Sequence, residues 1–97
     1  MKIAIASEGK ELNSKVSSQG GRAPYYLIFE EKNLIETIKN PFAKGSGGAG
    51  FSVAYMLAEK KVNLVIAGKI GGNMESALNE KEISFKQESG KKVEEVI

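Results

Sequence analysis

The chain has 97 residues, 41% of them hydrophobic and 27% charged, with a formal net charge of +2. That length supports one core and one domain, residues 1–97, and so small a charge excess does not by itself argue for nucleic acid. There is no His, no Cys and no Asp, which excludes disulfides, thiolate metal sites, zincin sites, Cys nucleophiles and Ser-His-Asp catalysis.

Lys2–Ser7 (KIAIAS) is a short, mostly apolar run that ends at Glu8-Gly9, and it reads as a buried central strand. The polar stretch 8–21, rich in Ser, Gly, Lys and Asn, has the composition of a surface loop. Tyr25–Glu31 (YYLIFEE) is aromatic and aliphatic, a second strand. Asn33 makes a turn into a third run, Leu34–Lys39, so the two pair as a β-hairpin. Asn40-Pro41 ends that strand, because proline cannot continue a ladder.

From Phe51 to Lys60 the apolar positions Phe51, Ala54, Tyr55, Leu57 and Ala58 recur at helical spacing. Asn63–Ala67 (NLVIA) is another buried strand. Met74, Ala77 and Leu78 form a second helical stripe, with Glu75 placed in its first turn against the helix dipole. Ile83–Gln87 is a last strand, and Ser89 is placed to cap a short helix carrying Val93, Val96 and Ile97. Strand–helix alternation in the second half demands parallel pairing there. The expected fold is α/β, a mixed five-stranded sheet flanked by helices with the first strand central. No apolar run approaches the roughly 20 residues of a membrane span. Ile3-Ala4-Ile5-Ala6 is also far shorter than a signal-peptide core of about 7–15 residues. A cytoplasmic protein without a membrane partner is expected.

Three glycine-rich corners punctuate this pattern: Ser7-Glu8-Gly9-Lys10, Gly45-Ser46-Gly47-Gly48-Ala49-Gly50, and Gly68-Lys69-Ile70-Gly71-Gly72-Asn73. Glycine lets backbone N–H groups approach a ligand, and a following helix N-terminus favours negative charge. The corners and the loop before Arg22 carry Lys10, Lys15, Arg22, Lys44 and Lys69 against Glu8 and Glu11. Arg22 offers a fixed fork of donors suited to carboxylate or phosphate-like anions.

The run at 45–50 formally satisfies G-x-G-x-x-G. It does not follow directly from a strand, however, and no acidic residue stands at the required distance, so a dinucleotide fingerprint is excluded. No glycine run closes on Gly-Lys-Ser/Thr, so there is no P-loop either. A mixed sheet with a helical crossover is similar to ribonuclease H-like folds. Two-metal nucleases of that kind need several carboxylates, and only Glu8 adjoins the first strand. Tyr25, Tyr26, Phe29 and Phe51 sit in periodic apolar elements and belong to the core rather than to a base-stacking surface. Nucleic acid is not an expected partner.

With these residues in view, the chain resembles the nitrogenase iron–molybdenum cofactor biosynthesis family, the small domain of NifX and NifY proteins and of the NifB C-terminus. The resemblance runs nearly end to end. It is carried by Met1–Ser7, by Ser14-Lys15-Val16-Ser17, by Gly21-Arg22-Ala23-Pro24-Tyr25-Tyr26, and by Asn40-Pro41 followed by Gly47-Gly48-Ala49-Gly50. Val65-Ile66-Ala67-Gly68, Gly71, Asn73, Ala77-Leu78 and the ending at Gly90–Glu95 complete it. It implies a ribonuclease H-like fold without nuclease activity, and a role in binding or carrying iron–sulfur or iron–molybdenum cofactor precursors, with cofactor-assembly proteins as partners. Members often carry His-Phe-Gly-Arg where this chain has Gln19-Gly20-Gly21-Arg22. Without His or Cys, a metallocluster would be held mainly as an anion.

The expectation is a non-catalytic binding or carrier domain for an anionic small molecule or metallocluster, with no resident metal site. Ser7, Arg22, Gly47, Gly48, Gly50, Gly68, Lys69 and Asn73 are the candidate binding residues. Arg22 and Lys69 would supply charge, the glycines amides, and Ser7 and Asn73 neutral hydrogen bonds. Two alternatives stay open on sequence alone: a regulatory module or enzyme for a phosphate-bearing metabolite or nucleotide, and a protein-interaction module.

Overall fold

A computed structural model describes residues 1–45 and 47–97; Ser46, inside the second glycine corner, lies outside the described residues. The elements follow in the order β1 (Lys2–Ser7), β2 (Tyr25–Glu30), β3 (Asn33–Lys39), α1 (Ala49–Glu59), β4 (Leu64–Ala67), α2 (Gly72–Glu80), β5 (Ser84–Gln87) and α3 (Val93–Val96). The five strands form one sheet in the order β3-β2-β1-β4-β5. The first strand is central, β1–β2 and β2–β3 are antiparallel, and β1–β4 and β4–β5 are parallel. This is the mixed sheet expected from the sequence.

Side chains alternate across the pleat, so each strand feeds two cores. On one face Ala4, Ala6, Tyr26, Ile28, Val65 and Ala67 pack beneath α1 and α2, which contribute Val53, Ala54, Leu57, Met74, Ala77 and Leu78. On the other face Ile5, Leu27, Phe29 and Ile66 are covered by Val16 and Val93, with Val96 and Ile97 packed alongside. The first loop is therefore a structural cover as well as a surface segment. Its Ser14 and Leu12 carbonyls accept the Val93 and Glu94 amides, each at 2.9 Å.

Several boundaries differ from the sequence reading, each for a local reason. The hairpin turn is Glu31-Lys32, with φ of 51° and 68°, and Asn33 is the first residue of β3 rather than the turn itself. Positive φ at both loop residues is what a two-residue type I′ connection demands, because its twist matches the strands. Ile28 pairs with Glu36 and Phe29 with Leu34, leaving Ile35 as a bulge in β3. Ser89 does not cap α3: its hydroxyl donates to the Gly68 carbonyl at 3.3 Å. The helix instead begins after Lys92, whose amide donates to the Glu95 side chain at 2.8 Å.

Both long helices stop in the same way. At the end of α1, the Val62 amide donates to the Leu57 carbonyl at 3.2 Å and the Lys61 amide to that of Ala58 at 3.0 Å. At the end of α2, Ile83 donates to Leu78 at 2.8 Å and Glu82 to Asn79 at 3.1 Å. These are two complete Schellman motifs. Their left-handed positions are occupied by Lys61 (φ 64°) and Glu82 (φ 59°) rather than by glycine.

Candidate functional site

The parallel half of the sheet delivers β1 and β4 to the same edge, and the chain leaves both strands there. α1 and α2 lie side by side with their N-termini at that edge. Between them and the segment 19–22 lies an open cleft of about 540 Å³, lined by Gln19, Gly20, Gly21 and Arg22 on one side. Gly48, Ala49 and Gly50 from the start of α1 line it too, as do Lys69 and Gly71–Met74 at the start of α2. Ligands of open α/β sheets gather at such strand ends.

The closeness of the two helix starts depends on missing side chains. A β-carbon on Gly50 would lie 2.9 Å from the Met74 amide nitrogen and 3.0 Å from its β-carbon. One on Gly21 would lie 3.2 Å from the Gly50 nitrogen. The Gly21, Gly50 and Met74 backbones thus stack in direct contact. Gly48, the residue before α1, has φ of 89°, a conformation glycine adopts without strain.

Neither helix has a side-chain cap. The first intrahelical bonds run from Ser52 to the Gly48 carbonyl at 3.2 Å and from Glu75 to that of Gly71 at 2.9 Å. The amides of residues 49–51 and 72–74 therefore precede the helical ladder and have no intrahelical acceptor. Two positive helix ends converge on one opening. Arg22 and Lys69 add formal charge, and no carboxylate lines the cleft among the described residues. Nor do those residues contain a group of three or more His, Cys, Asp or Glu able to hold a metal ion. The opening is therefore electrostatically positive.

Arg22 is half-buried, and its guanidinium donates to the Phe42 carbonyl at 3.3 Å. The backbone around it is anchored by Asn40, only 5% exposed. The Asn40 side-chain amide donates to the Gly21 carbonyl at 3.2 Å and to the Ala23 carbonyl at 2.9 Å, and its oxygen accepts the Phe42 amide at 2.9 Å. One residue further back, the fully buried Tyr26 hydroxyl donates to the Gly20 carbonyl at 2.6 Å. Burial pushes the Tyr26 phenol far above its ordinary value of 10.0. The Gly20 amide ties this wall to the opposite one by donating to the Lys69 carbonyl at 2.9 Å.

Of the residues singled out from the sequence, Arg22, Gly48, Gly50, Lys69 and Asn73 meet at this cleft. Ser7, Gly47 and Gly68 do not line it. The buried Ser7 hydroxyl closes a tight turn, donating to the Gly9 carbonyl at 2.6 Å and accepting its amide at 3.2 Å. Gly68 lies behind the wall, with no room for a β-carbon because the Ser18 α-carbon would be 2.7 Å from it. Gly47 is exposed in the loop before α1. Lys10 stands 5.7 Å from the centre of the Tyr25 ring, and Lys15 forms a β-bridge with Lys92. Sequence reasoning missed Gln19, Gly20, Gly21, Ala49, Gly71, Gly72 and Met74 in the lining, and Asn40 and Tyr26 as its supports. The sequence marks Asn40 only as the residue that ends a strand before proline; its burial and its partners come from the fold.

The whole chain, residues 1–97, matches the family described as dinitrogenase iron-molybdenum cofactor. Among solved structures it is similar to the apo form of the orange protein from Desulfovibrio gigas, at 27% identity and a TM-score of 0.89, over 97% of this chain and 81% of that one. It is similar to a provisionally named NifB protein from Thermotoga, at 33% identity and a TM-score of 0.82, with the same two coverages, 97% and 81%. A provisionally named dinitrogenase from Methanocaldococcus jannaschii shares the fold, at 21% identity and a TM-score of 0.64, over 98% of this chain and 82% of that one. No curated protein matches the chain.

Proposed function

We propose that this chain, which belongs to the dinitrogenase iron-molybdenum cofactor family, is a non-catalytic carrier whose cargo is an anionic metallocluster or its precursor. The cargo would sit in the cleft between the starts of α1 and α2. The observation that carries this reading is the pairing of two uncapped helix N-termini with Arg22 and Lys69 in an opening that, among the described residues, no carboxylate lines. Oriented amides and helix dipoles favour a polyanion without bonding to its metal. Iron–sulfur clusters are ordinarily held by Cys thiolates, and this chain has none. The cargo would therefore enter and leave without breaking a protein–metal bond, which suits a protein that passes it to an assembly partner.

In this arrangement Arg22 and Lys69 set the charge, the amides of 49–51 and 72–74 supply backbone donors, and the Asn73 side chain adds a neutral hydrogen bond. The reading is tested by titrating wild type and the Arg22→Ala, Lys69→Ala double variant with molybdate as the probe anion. Equal affinity of the two proteins would refute the assignment of the site. The membrane plays no part in this reading, and no described helix is long and apolar enough to cross one.

A further inference from the structure

Two buried side chains, Tyr26 and Asn40, spend their donors on successive carbonyls of the cleft wall. The Tyr26 hydroxyl takes the Gly20 carbonyl at 2.6 Å, and the Asn40 amide takes the Gly21 carbonyl at 3.2 Å. Among the described residues there are no cis peptide bonds. In a planar trans peptide the N–H of one residue points opposite to the carbonyl of the residue before it. Drawing the Gly20 and Gly21 carbonyls into the interior therefore turns the N–H groups of Gly21 and Arg22 outward, and both residues line the cleft.

The Gly21 amide has no acceptor among the described residues, whereas the Gly20 amide before it is bonded to the Lys69 carbonyl at 2.9 Å. Gly21 is half-buried, so its amide is left to solvent or to a ligand in the opening, and the two buried donors behind it fix its direction. Asn40 does a second thing with the same side chain: its oxygen fixes the Phe42 amide at 2.9 Å, and the Phe42 carbonyl in turn receives the Arg22 guanidinium at 3.3 Å.

We infer that the Gly21 N–H is a ligand-binding donor of the cleft, and that Tyr26 and Asn40 are positioning residues that aim it and Arg22 at the bound anion. The inference rests on the anion-carrier reading above. It adds a third donor direction, from the wall facing the two helix starts, so that an anion in the cleft is contacted from more than one side. Neither Tyr26 nor Asn40 lines the cleft, so both act only through the backbone they hold.

The test is an amide-resolved NMR titration with sodium molybdate at constant ionic strength, on wild type, Tyr26→Phe and Asn40→Ala. In wild type the Gly21 amide proton moves downfield and saturates together with the Gly50 and Gly72 amides. Each variant weakens the fitted affinity about tenfold, as expected when a charge-assisted hydrogen bond is lost, and shrinks the Gly21 shift more than the Gly50 shift. That unequal loss is a readout general destabilisation would not produce. Tyr26→Phe removes a single oxygen, and it carries the test alone if Asn40→Ala does not fold. A Gly21 amide that stays still while Gly50 and Gly72 move overturns the inference and leaves the carrier reading standing. So does an affinity within twofold of wild type in the variants. If no cleft amide moves in wild type, the anion-binding reading falls and the inference with it.

Discussion

Gly50 and Met74 touch backbone to backbone: a β-carbon on Gly50 would sit 2.9 Å from the Met74 amide nitrogen. This contact brings the first turns of α1 and α2 together and sets the width of the cleft. Gly50→Ala has no flexible side chain to displace, so a helix must shift. Overpacking of this kind costs about 1–3 kcal/mol, read as a lower urea midpoint at unchanged slope. Gly71→Ala is the control. It is the residue before α2, with nothing within 4 Å of its β-carbon and no positive φ, and it leaves the midpoint near wild type.

The helix ends offer gains rather than losses. Lys61 and Glu82 occupy the left-handed position of two Schellman motifs, with φ of 64° and 59°. A residue with a β-carbon is strained there by about 1–2 kcal/mol relative to the right-handed region. Glycine relieves that strain and gives back part of it through unfolded-chain entropy. Lys61→Gly and Glu82→Gly should each raise stability by up to about 1 kcal/mol, a rise in Tm of roughly 4–8 °C in a chain of this size. Thermal melts of the single and double variants check this. Lys61 and Glu82 line one groove, so the double variant also reads whether the two gains add.

Most of the fold could be read from periodicity, because the strands are short apolar runs and the helices have clear stripes. What could not be read depended on contacts between distant segments. Ser89 has the chemistry of a helix cap, but it is drawn to the Gly68 carbonyl at 3.3 Å. The glycines of the second and third corners were visible as a class. Which of them face the cleft depends on packing: Gly68 is pressed against Ser18, and Gly50 against Met74. Arg22 and Lys69 could be named because a guanidinium or an ammonium beside glycine amides has the chemistry of an anion site. Asn40 and Tyr26 could not, since their partners lie 17 to 19 and 6 residues away, on carbonyls no sequence pattern marks.

The fully buried Tyr26 gives a pH signature. Burial pushes its phenol far above the ordinary 10.0, so it stays neutral in the folded chain while the unfolded chain ionises near that value. Its contribution is whole below pH 10.0 and is lost as pH climbs toward the folded value. The slope is at most about 1.4 kcal/mol per pH unit. Urea unfolding of wild type between neutral pH and pH 11 should therefore lose stability faster above pH 10 than Tyr26→Phe does. The variant starts lower at neutral pH by about 1–3 kcal/mol, because the buried Gly20 carbonyl loses its partner.

The hairpin turn is a second place where left-handed residues lack glycine: Glu31 and Lys32 have φ of 51° and 68°. Replacing them with Asn-Gly, the pair that two-residue type I′ turns favour, should stabilise the chain by about 1 kcal/mol. The ion pair from the chain's amino group to Glu31, at 3.1 Å, is lost in that variant. Both its partners are well exposed, so little goes with it. Denaturant unfolding of the double variant measures the net effect.

The central claim is that the cleft holds an anionic metallocluster through amides, Arg22 and Lys69. It is tested most directly by anaerobic purification from the native host, with elemental analysis of iron and molybdenum after gel filtration. Wild type and Arg22→Ala, Lys69→Ala should be taken through the same steps. The account predicts near-stoichiometric metal on wild type and little on the double variant, with both proteins folded. Equal metal on the two proteins, or metal-free wild type that takes up none on anaerobic reconstitution, would contradict it.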